Sequence, residues 1–191
     1  MLAHAQTRVI AAASLAGLLF GFDTAVISGV TQALRDAFSL TPSGLGLAVS
    51  AALWGTLAGA LTLGRPGDRY GSRAVLQCIG VLYVVSALGC ALSWNLSSLL
   101  IFRFLIGVAI GGSSILAPVY MAEAAPAARR GVMVGLFQIN IVVGILIAYV
   151  SNYFVAELVA GDAVWRWKLA VAVLPAALFL VLLFLLSLIH I

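Results

Sequence analysis

Apolar residues along this chain come in blocks of roughly twenty, separated by short polar stretches. A block of that length crosses the roughly 30 Å hydrocarbon core of a bilayer as one helix. A helix also satisfies its own backbone hydrogen bonds where no water is available. Six blocks are predicted as spanning helices, over residues 9–31, 44–64, 74–94, 98–121, 132–154 and 168–188. Every connection is short, and 35–43 and 95–97 are expected as turns. The pattern predicts an all-α membrane protein, a six-transmembrane-helix bundle over residues 1–185.

Composition excludes the soluble alternatives. The chain is 64% hydrophobic and 8% charged, whereas a soluble domain carries about 25% charged residues. The first block is too long for a cleaved signal peptide, and no small-residue cleavage site is followed by a soluble domain. The formal net charge of +4 does not indicate nucleic acid, because the basic residues fall between the blocks. Arg8, Arg65, Arg69, Arg73, Arg129 and Arg130 lie at the amino terminus or in even-numbered loops, against Arg35, Arg166 and Lys168 in odd-numbered ones. That bias predicts a multi-pass plasma-membrane protein with a cytoplasmic amino terminus. Trp94, Trp165 and Trp167 are then expected as anchors at the outer interface. Cys78 and Cys90 are twelve positions apart in one block, roughly 18 Å along a helix, too far for a disulfide; they are read as small packing residues. No metal-ligand cluster, nucleophile–base pair or phosphate-binding glycine loop is visible, so neither an enzyme nor a cofactor or metal is expected.

Small residues recur four apart at Gly17 and Gly21, Gly55 and Gly59, Gly107 and Gly111, and Gly131 and Gly135. This spacing predicts close helix–helix approach at each pair. Pro118 and Pro175 lie inside blocks four and six and are expected to kink or loosen them.

Two ionisable residues stand inside the blocks, Asp23 in the first and Arg103 in the fourth. A charge at the bilayer centre costs at least about 2.5–3.5 kcal/mol, and such residues usually pair. Asp23 lies fourteen residues beyond Val9, roughly 21 Å into a 30 Å core. Arg103 lies five residues beyond Ser98 on a helix running the other way, roughly 8 Å from the same edge. The two can meet at one depth if blocks one and four are neighbours. An arginine holds such a carboxylate ionised, and its withdrawal lets the carboxylate take a proton. A proton switch, a static ion pair and two groups that never touch are the three readings.

Several motifs resemble the sugar porter family of the major facilitator superfamily. The loop Gly64-Arg65-Pro66-Gly67-Asp68-Arg69-Tyr70-Gly71-Ser72-Arg73 resembles G-x-x-x-D-R-x-G-R-R, departing at Ser72. Arg103, Gly107 and Gly111 match R-x-x-x-G-x-x-x-G. Pro118, Tyr120, Glu123, Pro126, Arg130 and Gly131 match P-x-Y-x-x-E-x-x-P-x-x-x-R-G, with Gln138 and Gly144 following. The run from Gly21 to Gly29 is similar to the first helix of bacterial sugar–proton symporters. The resemblance implies the amino-terminal half of a major facilitator fold, carrying a sugar and a proton by alternating access across a bacterial inner membrane. It implies proton-coupling roles for Asp23 and Arg103 and substrate-facing roles for Phe20, Thr24 and Gln138. Ile141 and Ile145 share the helix face of Gln138 and offer an apolar wall. From spacing alone Gln138 is equally a helix–helix hydrogen-bonding residue. Asp68, Arg69, Arg73, Glu123 and Arg130 are implied to form a cytoplasmic gate of salt bridges.

The resemblance also implies a partner, a carboxyl-terminal six-helix half, because the substrate site lies between halves. The chain stops before the P-E-S-P-R-W-L-like segment that follows the sixth helix in the family. Leu186 to Ile191 read like the translation of a transposase end sequence used in library preparation, so 186–191 are expected to be a non-native tail. The competing functions are a facilitative sugar or polyol uniporter or exporter, and a six-helix membrane protein that transports nothing.

Overall fold

The computed structural model describes residues 2–159, 161 and 163–188, and at 2–13, 124, 129 and 186–188 it describes the backbone alone. The described residues are entirely helical apart from short connections. The helices are α1 (Leu2–Val26), α2 (Thr31–Ala37), α3 (Pro42–Tyr70), α4 (Ser72–Ala91), α5 (Leu96–Ala124), α6 (Arg130–Leu158), α7 (Val164–Ala170) and α8 (Val173–Leu188). Short 3₁₀ turns at Ile27–Gly29 and Ala127–Arg129 follow α1 and precede α6. Among the described residues five spans are long and apolar enough to cross a membrane, and six if the first, bent by 53° between Gly29 and Thr31, counts as one.

Each helix end has a local cause. Asn95 and Ser98 form a reciprocal capping box at the start of α5, with the Ser98 amide 2.7 Å from Asn95 Oδ1. Thr41 caps α3 and Pro42 occupies its first position, where the missing amide hydrogen is no loss. α3 then runs to Tyr70, well past the predicted end at 64, because a helix continues beyond the apolar region that hydropathy detects. Gly71 alone, at φ 86°, turns the chain into α4. The first block also runs longer than predicted, since α2 covers residues 31–37. The carbonyls released at its bend are taken up by side chains from other helices. Asn152 Nδ2 donates to Val26 O at 3.3 Å and Lys168 Nζ to Gly29 O at 2.9 Å. The sixth block is two helices, broken at Val171 and Ala172. Pro175 lacks an amide hydrogen and crowds the carbonyl four residues earlier, that of Val171.

Packing is by pairs. α3 lies along α5 and α1 along α6, α1 and α5 touch at the centre, and α4 and α8 close the back. A Cβ added at Gly17 or Gly21 would strike the backbone of Phe137 or Ile141, and one at Gly144 that of Leu18. Gly55, Gly59, Gly107 and Gly111 likewise sit against backbone across the α3–α5 contact. Gly131 and Gly135 differ, since nothing lies within 4 Å of a Cβ at either. They occupy the first turns of α6, which no helix flanks closely, and the expectation of close approach there is corrected. Two other expectations also change. Trp165 is buried, its ring centroid 5.5 Å from that of Phe38 and tilted to it by 57°, so of the three only Trp94 and Trp167 are exposed as interfacial anchors would be. Cys90 packs inside the bundle, whereas Cys78 is exposed.

Candidate functional site

The centre of the bundle holds an ion pair. Arg103 Nη1 donates to Asp23 Oδ1 at 2.7 Å, with the two side chains 3% and 6% exposed. Neither charge is stable there alone, since removing an ion from water costs several kcal/mol even after relaxation. Their meeting follows from the contact between α1 and α5 and from their common depth. Among the described residues this is the only ion pair within 4 Å. α4 supplies the wall behind it. Tyr83 and Cys90 are buried on α4, and the Tyr83 hydroxyl donates to Leu19 O, one turn before Asp23, at 3.3 Å.

The pair opens onto a cleft of about 270 Å³ between α1, α3 and α5. Its lining includes Phe20, Asp23, Thr24, Thr56, Arg103 and Ile110. Four residues singled out in the sequence, Phe20, Asp23, Thr24 and Arg103, therefore come together. The Thr24 hydroxyl donates to Phe20 O at 2.8 Å, which leaves its oxygen able to accept. Thr56, bonded in the same way to Ala52 O, is a polar group that sequence reasoning missed. A threonine bonded back to its own helix is common in spans and gives no signal of its own. A larger recess of about 620 Å³ lies near α2 and α7, lined by Asp36, Trp94, Trp165 and Arg166 among others. It does not include the buried pair, so the smaller cleft is the candidate site.

The α6 residues are placed differently. Gln138 is exposed, at the level where Gly17 and Gly21 meet α6, and Ile141 and Ile145 are half-buried against the core. None of the three lines the cleft. Asn140 spends its amide on Leu136 O at 2.9 Å.

The five gate residues sit around the ends of α3, α5 and α6 and the start of α4. Asp68, Arg69, Glu123 and Arg130 are exposed and Arg73 is half-buried. No ion pair within 4 Å joins them among the described side chains. Arg69 lies 5.5 Å over the Tyr70 ring, and Arg73 has one buried nitrogen without a partner among the described residues. The Arg129 side chain, residues 189–191 and the side chains of 186–188 lie outside the described residues.

This architecture has close counterparts. A D-xylose transporter of Levilactobacillus brevis is 42% identical over 165 residues, covering 86% of this chain and 35% of that protein. The glucose transporter GlcP of Staphylococcus epidermidis is 39% identical over 168 residues, covering 88% of this chain and 37% of that protein. The proton:xylose symporter XylE, solved with 6-bromo-6-deoxy-D-glucose, superposes with a TM-score of 0.90 at 33% identity, covering 97% of this chain and 45% of that one. The chain thus spans little more than a third of the length of these curated relatives. The family model described as "Sugar (and other) transporter" matches residues 9–187, and with the helix order and packing above, the chain belongs to that family as the amino-terminal half of a major facilitator fold.

Proposed function

We propose that this chain is the amino-terminal half of a proton-coupled sugar symporter that works by alternating access. The observation that carries the reading is the buried Asp23–Arg103 pair opening onto the cleft between α1, α3 and α5. Protonation of Asp23 removes the attraction that holds Arg103. With the pair broken, α1 is free to shift relative to α5. Sugar is held between this half and the carboxyl-terminal one. Phe20 and Thr24 contribute from the cleft. Gln138 offers an amide that both donates and accepts, with Ile141 and Ile145 beside it. Asp68, Arg69, Arg73, Glu123 and Arg130 form the cytoplasmic latch, pairing when that side closes; exposed pairs are individually weak, which suits a contact that must release. The names of the relatives, a D-xylose and a glucose transporter, support a pentose or hexose as substrate.

The test is Asp23→Asn in the parent transporter carrying both halves. Uphill accumulation of radiolabelled xylose or glucose is expected to fall to the equilibrium level while exchange across the membrane persists. Unchanged accumulation would overturn the coupling role. Equal uptake with and without a proton gradient in the unaltered protein would favour a facilitative carrier, and no uptake of any sugar would favour a membrane protein that transports nothing. The bias of basic residues supports a cytoplasmic amino terminus in a bacterial inner membrane. A reporter that is fluorescent only in the cytoplasm, fused there, should light up.

A further inference from the structure

Hydroxyl groups on the spanning helices follow one habit. Thr24, Thr56, Ser113 and Ser151 each donate to a carbonyl three or four residues back on their own helix, at 2.8–2.9 Å. Ser86 does not. It is 0% exposed, and its Oγ has no hydrogen-bond partner among the described residues. A hydroxyl without a partner in an apolar interior costs roughly 1–3 kcal/mol. Buried polar groups left over in this way point to an ordered water or ion.

A second orphan lies on the neighbouring helix. Arg103 Nη1 is engaged by Asp23, but Arg103 Nε is buried and unpartnered among the described residues. The strip of α4 that carries Ser86 is turned toward the helices of the ion pair. Ser86 is three residues after Tyr83 and four before Cys90, so the three share one strip of α4. From that strip the Tyr83 hydroxyl donates to Leu19 O on α1, one turn before Asp23. α4 packs along α5 here, with Gly89 against the Phe102 ring one residue before Arg103. One orphan is a donor only and the other both donates and accepts. A single water between them would accept from Nε–H and exchange a hydrogen bond with the hydroxyl. An anion is disfavoured because Asp23 already balances the guanidinium, and a cation is disfavoured beside Arg103.

We propose that a buried water site lies between α4 and α5, behind the ion pair, and that Ser86 is a positioning residue which holds Arg103 through that water. The guanidinium is then tethered on two sides, by Asp23 in front and by the Ser86-bound water behind. The site itself depends only on the structure. Its consequence for transport, that Arg103 stays in place when Asp23 lets go, rests on the function proposed above.

Thermal unfolding of the intact chain in detergent separates the outcomes by sign. If the site holds water, Ser86→Ala removes one of its anchors and lowers the midpoint by roughly 2–4 °C. The effect should vanish when Arg103→Lys has removed Nε. If the hydroxyl is dry and merely orphaned, Ser86→Ala raises the midpoint or leaves it unchanged, and the proposal falls. An equal drop in both backgrounds also overturns it, because Ser86 would then act through another group. Should the Lys background fail to fold, an experimental map decides. A water within hydrogen-bonding distance of both Ser86 Oγ and Arg103 Nε supports the proposal, and a dry gap or a direct contact overturns it. None of these readouts involves transport, so a loss of the symport reading leaves the test intact.

Discussion

A carboxylate and a guanidinium removed from water together are tolerated only as a pair. Asp23 and Arg103 meet at 2.7 Å in the middle of an otherwise apolar bundle. Breaking such a pair leaves one uncompensated buried charge, typically a loss of about 3–5 kcal/mol, whereas replacing both members by apolar residues is often neutral or stabilising. Arg103→Leu alone should therefore destabilise the chain more than Arg103→Leu combined with Asp23→Leu. A titration of helix content in mixed micelles measures the difference; equal losses would show that the two residues are not coupled. These residues were legible in the sequence because a charge inside a span is rare and demands a partner. Ser86, Tyr83 and Thr56 were not. Each is compatible with an ordinary span, and only the unpartnered burial of Ser86, the reach of Tyr83 to Leu19 and the place of Thr56 in the cleft make them distinctive.

At the scale of helices, glycines set where backbones touch. Gly107 faces the Ala52 carbonyl and the Thr56 amide across the α3–α5 contact, with no room for a methyl group. Gly135 on α6 faces open space. Gly107→Ala should cost on the order of 1–3 kcal/mol through overpacking. Gly135→Ala should be neutral or stabilising by up to about 1 kcal/mol, because alanine is the better helix former. Unfolding midpoints of the two variants, measured side by side, check the contrast; a Gly107→Ala variant as stable as the parent would mean α3 and α5 are not packed backbone to backbone. Spacing four apart predicted both positions alike, since it reports what a helix face permits and not whether another helix is there. The number and type of the elements were likewise readable from the apolar blocks. Their ends and breaks were not, because they depend on groups far away in sequence. The bend after α1 is completed by Asn152 and Lys168, and the Trp165 expected at the interface is instead enclosed by Phe38.

At the scale of the whole molecule, polar groups are distributed unevenly over its surface. α3 exposes Leu53, Trp54 and Leu61, and α6 exposes Val142, Leu146 and Tyr153, as helices in lipid do. Yet Thr24 beside the cleft and Gln138 on α6 are exposed as well. Lipid offers no partner for an amide, so this side of the bundle is suited to a surface that brings its own polar groups and water. The relatives extend well beyond the region matched here, which covers 35% of the D-xylose transporter. A carboxyl-terminal six-helix half placed against this side would satisfy Gln138 and Thr24 and close the site around a sugar. Anything that binds only the folded state raises its apparent stability. On the proposed function, supplying a carboxyl-terminal six-helix half, fused or co-expressed, should therefore raise the unfolding midpoint of this bundle in detergent. Added xylose or glucose should raise it further only when both halves are present, because each half alone holds an incomplete site. Equal midpoints with and without the second half would mean that this surface is already content in lipid, and would detach Gln138 from any role in a shared site.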